Sequence, residues 1–435
     1  RYVWHPFTQM QDWLRERHPI IERGRGSTLI DVDGRRYLDG VSSLWVTVHG
    51  HRNPLIDQAV RAQLDHVAHS TFLGLSHPSA IELARQLVRI APRGLAKVFY
   101  SDNGSTAVEI ALKIAFQYWQ QRGARFRRKT RFIAFEESYH GDTLGAVSVG
   151  GIDLFHRIYR PLLFPAWKLP SPYRAPWARS RRADPLERLE SILRQRHDQV
   201  AALIMEPLMQ AAAGMLPSPP GFLKAVRSFC SRYNVLLILD EVATGFGRTG
   251  TMFACEQEGV TPDLLCLAKG ITGGYLPLAA TLATEQVFDG FRAPYGQKKT
   301  FFHGHTYTAN PLACAAALAN LRCFERQRTL ARLRPKIALL RRELGSLRSL
   351  PHVGDIRQVG FMVGIELMLN PARGQPYPYE AKIGIRTILE ARRRGLIIRP
   401  LGNVIVLMPP LSVSDRDLSR MVRIVRDSIA AATGR

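Results

Sequence analysis

Five short apolar runs, separated by stretches of helical periodicity, constrain this chain more than any other feature. They read KVFYS (residues 97–101), RFIAF (131–135), AALIME (201–206), VLLILD (235–240) and LLCLAK (264–269). Each is too short for a buried helix and lacks the polar alternation of a half-exposed strand, so each reads as a strand buried on both faces. Between several of them lie helical segments. After Gly104, STAVEIALKIAFQYWQQ places Ala107, Ile110, Ala111, Ile114, Ala115 and Tyr118 on one helical face. Buried strands alternating with helices predict an α/β architecture, a mainly parallel sheet flanked by helices. Ligands of such sheets collect at the carboxyl ends of the strands. Those ends carry Ser101 and Asp102, Glu136 and Glu137, Glu206, Asp240 and Glu241, and Lys269.

The run VLLILD leads into EVATGFGRTG, in which Gly245, Gly247 and Gly250 spell G-x-G-x-x-G. A dinucleotide fingerprint needs its first glycine at the strand end and a helix opening at the third. Here the strand ends in the carboxylates Asp240 and Glu241, and Pro262 leaves room for only a short helix after Gly250. The glycines are expected to form a mobile or tight connection.

At 435 residues the chain is long enough for two packed units. STLIDVDGRRYLDG (27–40) reads as a hairpin around Asp33 and Gly34. After a helical stretch over 311–324 come a charged helix, the short strands within DIRQVGFMVGIEL, LIIRP and VIVLMPP, and a last helix, which together form a smaller α+β unit. PSPYRAPWARSRRADP (170–185) reads as a Pro-rich surface excursion. The net charge of +24 raises nucleic acid or a membrane surface as partners. Yet the arginines are scattered, the densest runs (124–131 and 179–182) fall beside expected loops, and no zinc-finger or RNA-binding aromatic motif accompanies them. A solvated Arg-rich surface is expected, with no nucleic acid, membrane or metal. Five cysteines without C-x-x-C spacing point to reduced thiols and a cytoplasmic protein. The first residues resemble neither a signal nor a transit peptide, and no apolar run approaches the roughly 20 residues of a membrane helix.

Lys269 follows Leu267 and Ala268 and precedes the glycine-rich GITGGYLP. Such a lysine either snorkels out of the sheet or is desolvated, and desolvation lowers its pKa and suits it to Schiff-base chemistry. Asp240 closes a neighbouring strand, so the two form an ion pair or the lysine and carboxylate that a pyridoxal phosphate enzyme requires. Gly104 and Ser105 stand where a helix begins, with Thr106 and Glu109 at capping-box spacing. Free N–H groups, the positive helix end and a small hydroxyl make an anion site there. Tyr139 follows a strand end and either lays its ring on a flat cofactor or packs in the core.

LDEVATGFGRTG followed by LLCLAKGITGGYLPLAA resembles the signature of the class III, or omega, aminotransferases of pyridoxal phosphate fold type I. WHPFTQM, DGVSSLWVTVHGHRNP, YSDNGSTAVEIALK, SYHGDT, FFHGHTYTANPLACAAA and RPLGNVIVLMPP extend the likeness over nearly the whole chain. They narrow it to members that pass an amino group from S-adenosylmethionine to 8-amino-7-oxononanoate in biotin biosynthesis. The resemblance implies a large cofactor-binding domain over 49–325 and a small domain built from 1–48 and 326–435. It makes Lys269 the Schiff-base lysine, Asp240 the partner of the pyridine nitrogen, Gly104 and Ser105 the phosphate cup and Tyr139 the stacking aromatic. Thr306, preceded by His305, matches a residue donated to the phosphate across a homodimer interface. Phe7, Leu44, Trp45, Tyr139 and Gly304 match substrate-pocket positions, and Arg399 the arginine that receives a substrate carboxylate. Family members often carry Tyr for Phe7, Trp for Leu44, Pro for His305 and Tyr for Val406. Those departures leave lysine as an alternative amino donor, or another omega-aminotransferase reaction.

Overall fold

The computed structural model describes residues 2–177 and 183–434. Seven strands form the central sheet, in the order Leu95–Ser101, Ala279–Thr284, Leu264–Leu267, Leu236–Asp240, Val200–Met205, Arg131–Phe135 and Trp167–Leu169. All five runs read from the sequence are strands of this sheet. Its side chains alternate between two cores: Ile133, Leu203, Leu237, Leu239 and Leu265 join one, while Phe132, Ala202, Ile204, Ile238 and Leu264 join the other. Burial on both faces explains why polar alternation is missing from the runs. The helix Gly104–Gln120 covers the second face with the six side chains assigned to its apolar stripe. The helices Pro78–Ile90 and Phe222–Arg232 cover the first.

Two members of the sheet escaped the sequence reading. Trp167–Leu169 is a three-residue edge strand. Ala279–Thr284 runs antiparallel to both of its neighbours, which makes the sheet mainly rather than wholly parallel. Only a short turn region separates it from the strand ending at Leu267, too little chain for a crossover helix, so it returns in the opposite direction.

The hairpin around Asp33 and Gly34 is present, with Thr28–Asp31 paired antiparallel to Arg36–Asp39. The latter strand pairs in parallel with Leu396–Ile397, so both ends of the chain share one sheet. A further sheet joins Val353–Val359, Met362–Asn370, Val404–Leu407 and Arg399–Leu401, flanked by the helices Thr329–Gly345, Ile383–Arg393 and Asp415–Thr433. The five cysteines are free and buried. Among the described residues no helix is long and apolar enough to cross a membrane.

Two expectations need correction. The basic run 124–131 is not wholly solvated. Lys129 is buried 4.6 Å from the Trp119 ring centroid and donates to the carbonyls of His197 (2.7 Å), Asn234 (2.8 Å) and Val200 (3.0 Å). It staples three chain segments that enter the sheet. The first half of the Pro-rich stretch is packed rather than splayed on the surface: Ser171 is buried and Tyr173 donates its hydroxyl to Asp355 at 2.9 Å. The basic run 179–182 lies outside the described residues.

Candidate active site

The strand Leu236–Asp240 delivers its last carboxylate into a cleft of about 480 Å³ at the carboxyl edge of the sheet. Asp240 is 4% exposed. Its Oδ1 accepts the N–H of Val242 at 3.0 Å, and its Oδ2 lies 2.7 Å from Nδ1 of the buried His140. The neighbouring strand stops at Leu267, two residues before Lys269. Lys269 therefore does not end the strand. It opens a short 3-10 turn, Lys269–Thr272, with φ at +42°, a left-handed conformation that costs a non-glycine residue energy. Asn320 holds that turn by donating to the carbonyls of Gly270 (2.9 Å) and Ile271 (3.1 Å). A Cβ on Gly270 would lie 2.8 Å from Cβ of Phe246, so the glycine lets the two turns touch.

The Lys269 ammonium lies 5.2 Å from the Trp45 ring centroid. Burial lowers its pKa, against the pull of the Asp240 and Glu206 carboxylates. Glu206 accepts the N–H groups of Ala211 (2.9 Å) and Tyr139 (3.1 Å), and burial, followed by the nearby Asp240 charge, pushes its carboxyl up to about 8.

One wall of the cleft is the N-terminus of Gly104–Gln120. The expected capping box of Thr106 with Glu109 sits one turn earlier, as Asn103 with Thr106. Glu109 instead accepts the N–H of Gly145 at 2.8 Å. Ser105 Oγ accepts the N–H of Asp142 at 3.2 Å. The backbone here leaves no room for side chains, since a Cβ on Gly104 would meet Val242 Cγ1 at 2.6 Å. Tyr139 lines the cleft, donates its hydroxyl to Asp142 at 2.8 Å, and lies nearly parallel to the His156 ring with centroids 6.3 Å apart. Burial raises its phenol pKa.

The structure thus brings Gly104, Ser105, Tyr139, Asp240, Lys269, Leu44 and Trp45 around one cavity. Phe7 and Arg399 stand beside it: the Arg399 guanidinium is 5.9 Å from the Phe7 ring centroid, and Phe7 and Tyr139 both meet Phe155 edge-on. Arg399 pairs across its sheet with Val406. His305 Nδ1 is 2.6 Å from Oδ2 of Asp102, which lines the cleft. Gly304 and Thr306 are exposed and do not line the cavity of their own chain. His140 was missed, because its only local signal is its place beside Tyr139. Glu206 was noted as a strand end without a role, and its two backbone donors come from loops that sequence spacing does not connect.

The glycine connection is tight. Phe246, Gly247 and Gly250 have positive φ, and the following segment forms only a 3-10 turn, Ala254–Glu258. No helix begins at the third glycine, so the dinucleotide reading fails on geometry as well as on spacing.

The profile of the class-III aminotransferases matches residues 10–429. The chain is 58% identical to the adenosylmethionine-8-amino-7-oxononanoate aminotransferase of Nitratidesulfovibrio vulgaris, over 99% of its own length and 81% of that protein. It is 52% identical to the protein of the same name from Geobacter sulfurreducens, over 100% of its length and 97% of that one. The solved structure of the Methanocaldococcus jannaschii adenosylmethionine-8-amino-7-oxononanoate aminotransferase superposes with a TM-score of 0.94 at 45% identity, over 99% of this chain and 97% of that one. An amine transaminase from an uncultivated Pseudomonas species, solved in its PLP-bound form, superposes at 0.93 with 38% identity, over 99% of both chains. This chain belongs to the class-III aminotransferases and has their pyridoxal phosphate fold type I.

Proposed function

We propose that this chain is a cytoplasmic, homodimeric enzyme of biotin biosynthesis. It uses pyridoxal phosphate to move an amino group from S-adenosylmethionine to 8-amino-7-oxononanoate, giving 7,8-diaminononanoate. The observation that carries the reading is the buried Lys269 in the same cleft as Asp240 and the open N-terminus of Gly104–Gln120. Relatives that bear the corresponding name match it across nearly its whole length.

The residues present fit the cofactor. Free N–H groups at Gly104 and Ser105, with the Ser105 hydroxyl, suit a phosphate, and the absence of a Cβ at Gly104 keeps that seat open. Tyr139 offers a flat face and Asp240 a buried carboxylate for a ring nitrogen. When bound, pyridoxal phosphate supplies a carbon that carries the amino group and a ring that accepts electrons. The protein supplies the rest. Asp240, held by His140 and the Val242 N–H, keeps a proton on the ring nitrogen. Lys269 Nζ, whose pKa burial lowers, takes a proton from the donor carbon and returns it during the transfer. Arg399 offers a bidentate guanidinium to a substrate carboxylate at the mouth, beside Tyr139. Trp45 and Leu44 shape the wall that the donor meets, and Phe7 narrows the entrance. Gly304 and Thr306, exposed on their own chain, suit delivery to a second copy's cleft, which supports the homodimer.

Reduction of the holoenzyme with borohydride should fix the cofactor on Lys269, and a mass spectrum that maps it to another lysine overturns the assignment. A single-turnover titration then tests the substrates. S-adenosylmethionine should abolish the visible absorbance of the bound cofactor, and 8-amino-7-oxononanoate should restore it. Loss with lysine but not with S-adenosylmethionine overturns the donor, and failure of the keto acid to restore absorbance overturns the acceptor. Sedimentation should show a dimer, and an active monomer overturns the composite site.

A further inference from the structure

The charge of this chain is concentrated at one end. Residues 322–435, about a quarter of the length, hold 22 Lys and Arg against 9 Asp and Glu, which is +13 of the total +24. Twenty of those 22 cations are arginine. Nothing in the transamination reading uses this excess, and none of the residues that carry it except Arg399 stands at the cleft.

Nine of the 22 cations, with four carboxylates, stand on two helices packed side by side. Thr329–Gly345 and Asp415–Thr433 bury Leu333, Leu340 and Leu344 on one and Leu418, Met421, Val422, Val425 and Ile429 on the other. Lys336 ties them by donating to the carbonyl of Val413 at 2.6 Å, just before the second helix begins. The outward face of Asp415–Thr433 presents Arg416, Arg420 and Arg423 at i, i+4 and i+7, all exposed. At 1.5 Å rise per residue they form a row about 10 Å long. On the neighbouring helix Arg332 is exposed on the side of Lys336 and Asp415, while Arg334 lies on the opposite flank of the buried Leu333. Among the described residues Arg332, Arg416, Arg420 and Arg423 have no ion-pair partner. The face is not free of carboxylates, because Asp427 continues the row and Asp415 and Asp417 open the helix.

Four guanidinium groups without ion pairs on adjoining helices repel one another, so the face fits an anionic partner. Each of the four is an arginine, whose planar fork can grip a phosphate bidentately. Neither helix exposes a large apolar side chain, which removes the wedge that a membrane-surface helix inserts among lipids. We propose that this face binds the phosphate backbone of nucleic acid, without reading bases. Such a face is more than a solvated surface, and it stands apart from the substrate cleft.

The test uses the full-length holoenzyme and a short fluorescent DNA duplex in an anisotropy titration over a range of salt. Four phosphate contacts give a slope of log K against log [salt] of about −3.6, a fall in affinity of about 150-fold between about 50 and 200 mM salt. The triple variant Arg416→Gln/Arg420→Gln/Arg423→Gln should bring the slope to about −0.9 while leaving the transaminase rate and melting temperature of the parent. Polyglutamate and phosphatidylserine vesicles serve as competitors of equal charge and should displace the duplex poorly. Three results overturn the proposal: no binding at about 50 mM salt, an unchanged slope in the triple variant, or displacement by either competitor as readily as by unlabelled duplex.

Discussion

Gly104→Ala is the smallest change that should spoil the candidate phosphate seat. The added Cβ would lie 2.6 Å from Cγ1 and 3.1 Å from Cγ2 of Val242. Carbon atoms are comfortable at about 3.5–4.0 Å, so the first contact is short by about 1 Å. Relief can come from the start of the helix, which shifts the N–H groups of Gly104 and Ser105, or from Val242. Val242 is not free to move, because its N–H donates to Asp240 Oδ1 at 3.0 Å. Either route disturbs a group assigned to cofactor binding. Overpacking of this kind costs about 1–3 kcal/mol, a five- to roughly 150-fold weakening if it falls on binding. The assay is equilibrium titration of the apo-protein with pyridoxal phosphate, followed by absorbance. Val242→Ala removes both offending methyl groups and leaves Val242 Cβ at 3.4 Å, near ordinary contact. The double variant should therefore bind more tightly than Gly104→Ala alone, with a coupling of about 1–3 kcal/mol in the cycle. Parental affinity in Gly104→Ala, or no recovery in the double variant, refutes the steric argument.

His140→Leu should leave the protein folded and weaken pyridoxal phosphate binding about tenfold or more, because Asp240 loses a charge-assisted bond worth about 1.5–3 kcal/mol; the same titration reads it. Glu241→Ala should cost about 3–5 kcal/mol in urea denaturation, since the side chain of Thr244 and the N–H groups of Ala254 and Cys255 lose their buried acceptor, whereas Asp240→Asn should spare stability and abolish transamination. Lys168 governs a stability window at alkaline pH. Burial lowers its ammonium pKa from 10.5 to about 7, so the unfolded chain binds the extra proton between those values and stability rises with pH across them, by up to about 5 kcal/mol. Lys168→Met should remove that rise, so that the urea midpoint falls as pH goes from about 7 to about 8. There Glu206, its carboxyl pushed up to about 8, lowers stability as pH rises, and Lys129, lowered to about 8, has yet to add its own rise.

How much of this was legible in the sequence follows from how far each interaction reaches along the chain. The five runs were legible because a strand covered on both faces needs nothing but apolar residues, and the record of that need is local. Ala279–Thr284 reads AATLAT, small residues with no clear periodicity, and its direction depends on the length of the connection before it rather than on its own composition. The helix start at Gly104 was legible but its cap was not, because Asn103 and Thr106 compete with Thr106 and Glu109 for the same spacing and only Gly145 decides where Glu109 goes. Lys269 and Asp240 could be paired because parallel neighbours in a sheet recur at such separations. His140 reaches Asp240 over 100 residues and His305 reaches Asp102 over 203, and no pattern within either segment records those meetings.

The adjacent acids Asp240 and Glu241 show how one strand end can serve chemistry and architecture together. Successive side chains leave a strand on opposite sides, so the two carboxylates diverge. Asp240 turns into the cleft, toward His140. Glu241 turns into the core and collects the hydroxyl of Thr244 and the N–H groups of Ala254 and Cys255, each at 2.9 Å. That grip folds the glycine-rich stretch back on itself. A Cβ on Gly245 would strike the Glu241 carbonyl at 2.8 Å, and Phe246, buried and left-handed, reaches the turn of Lys269 through the space that Gly270 leaves. Arg248, wholly buried in the same stretch, donates to the carbonyls of Pro409 (2.8 Å) and Thr47 (3.0 Å) and so fastens the turn to segments near both ends of the chain. The glycines of the G-x-G-x-x-G pattern thus make room for packing rather than for a pyrophosphate. Their product is the fixed position of Lys269 opposite Asp240, on which the proposed proton transfers depend.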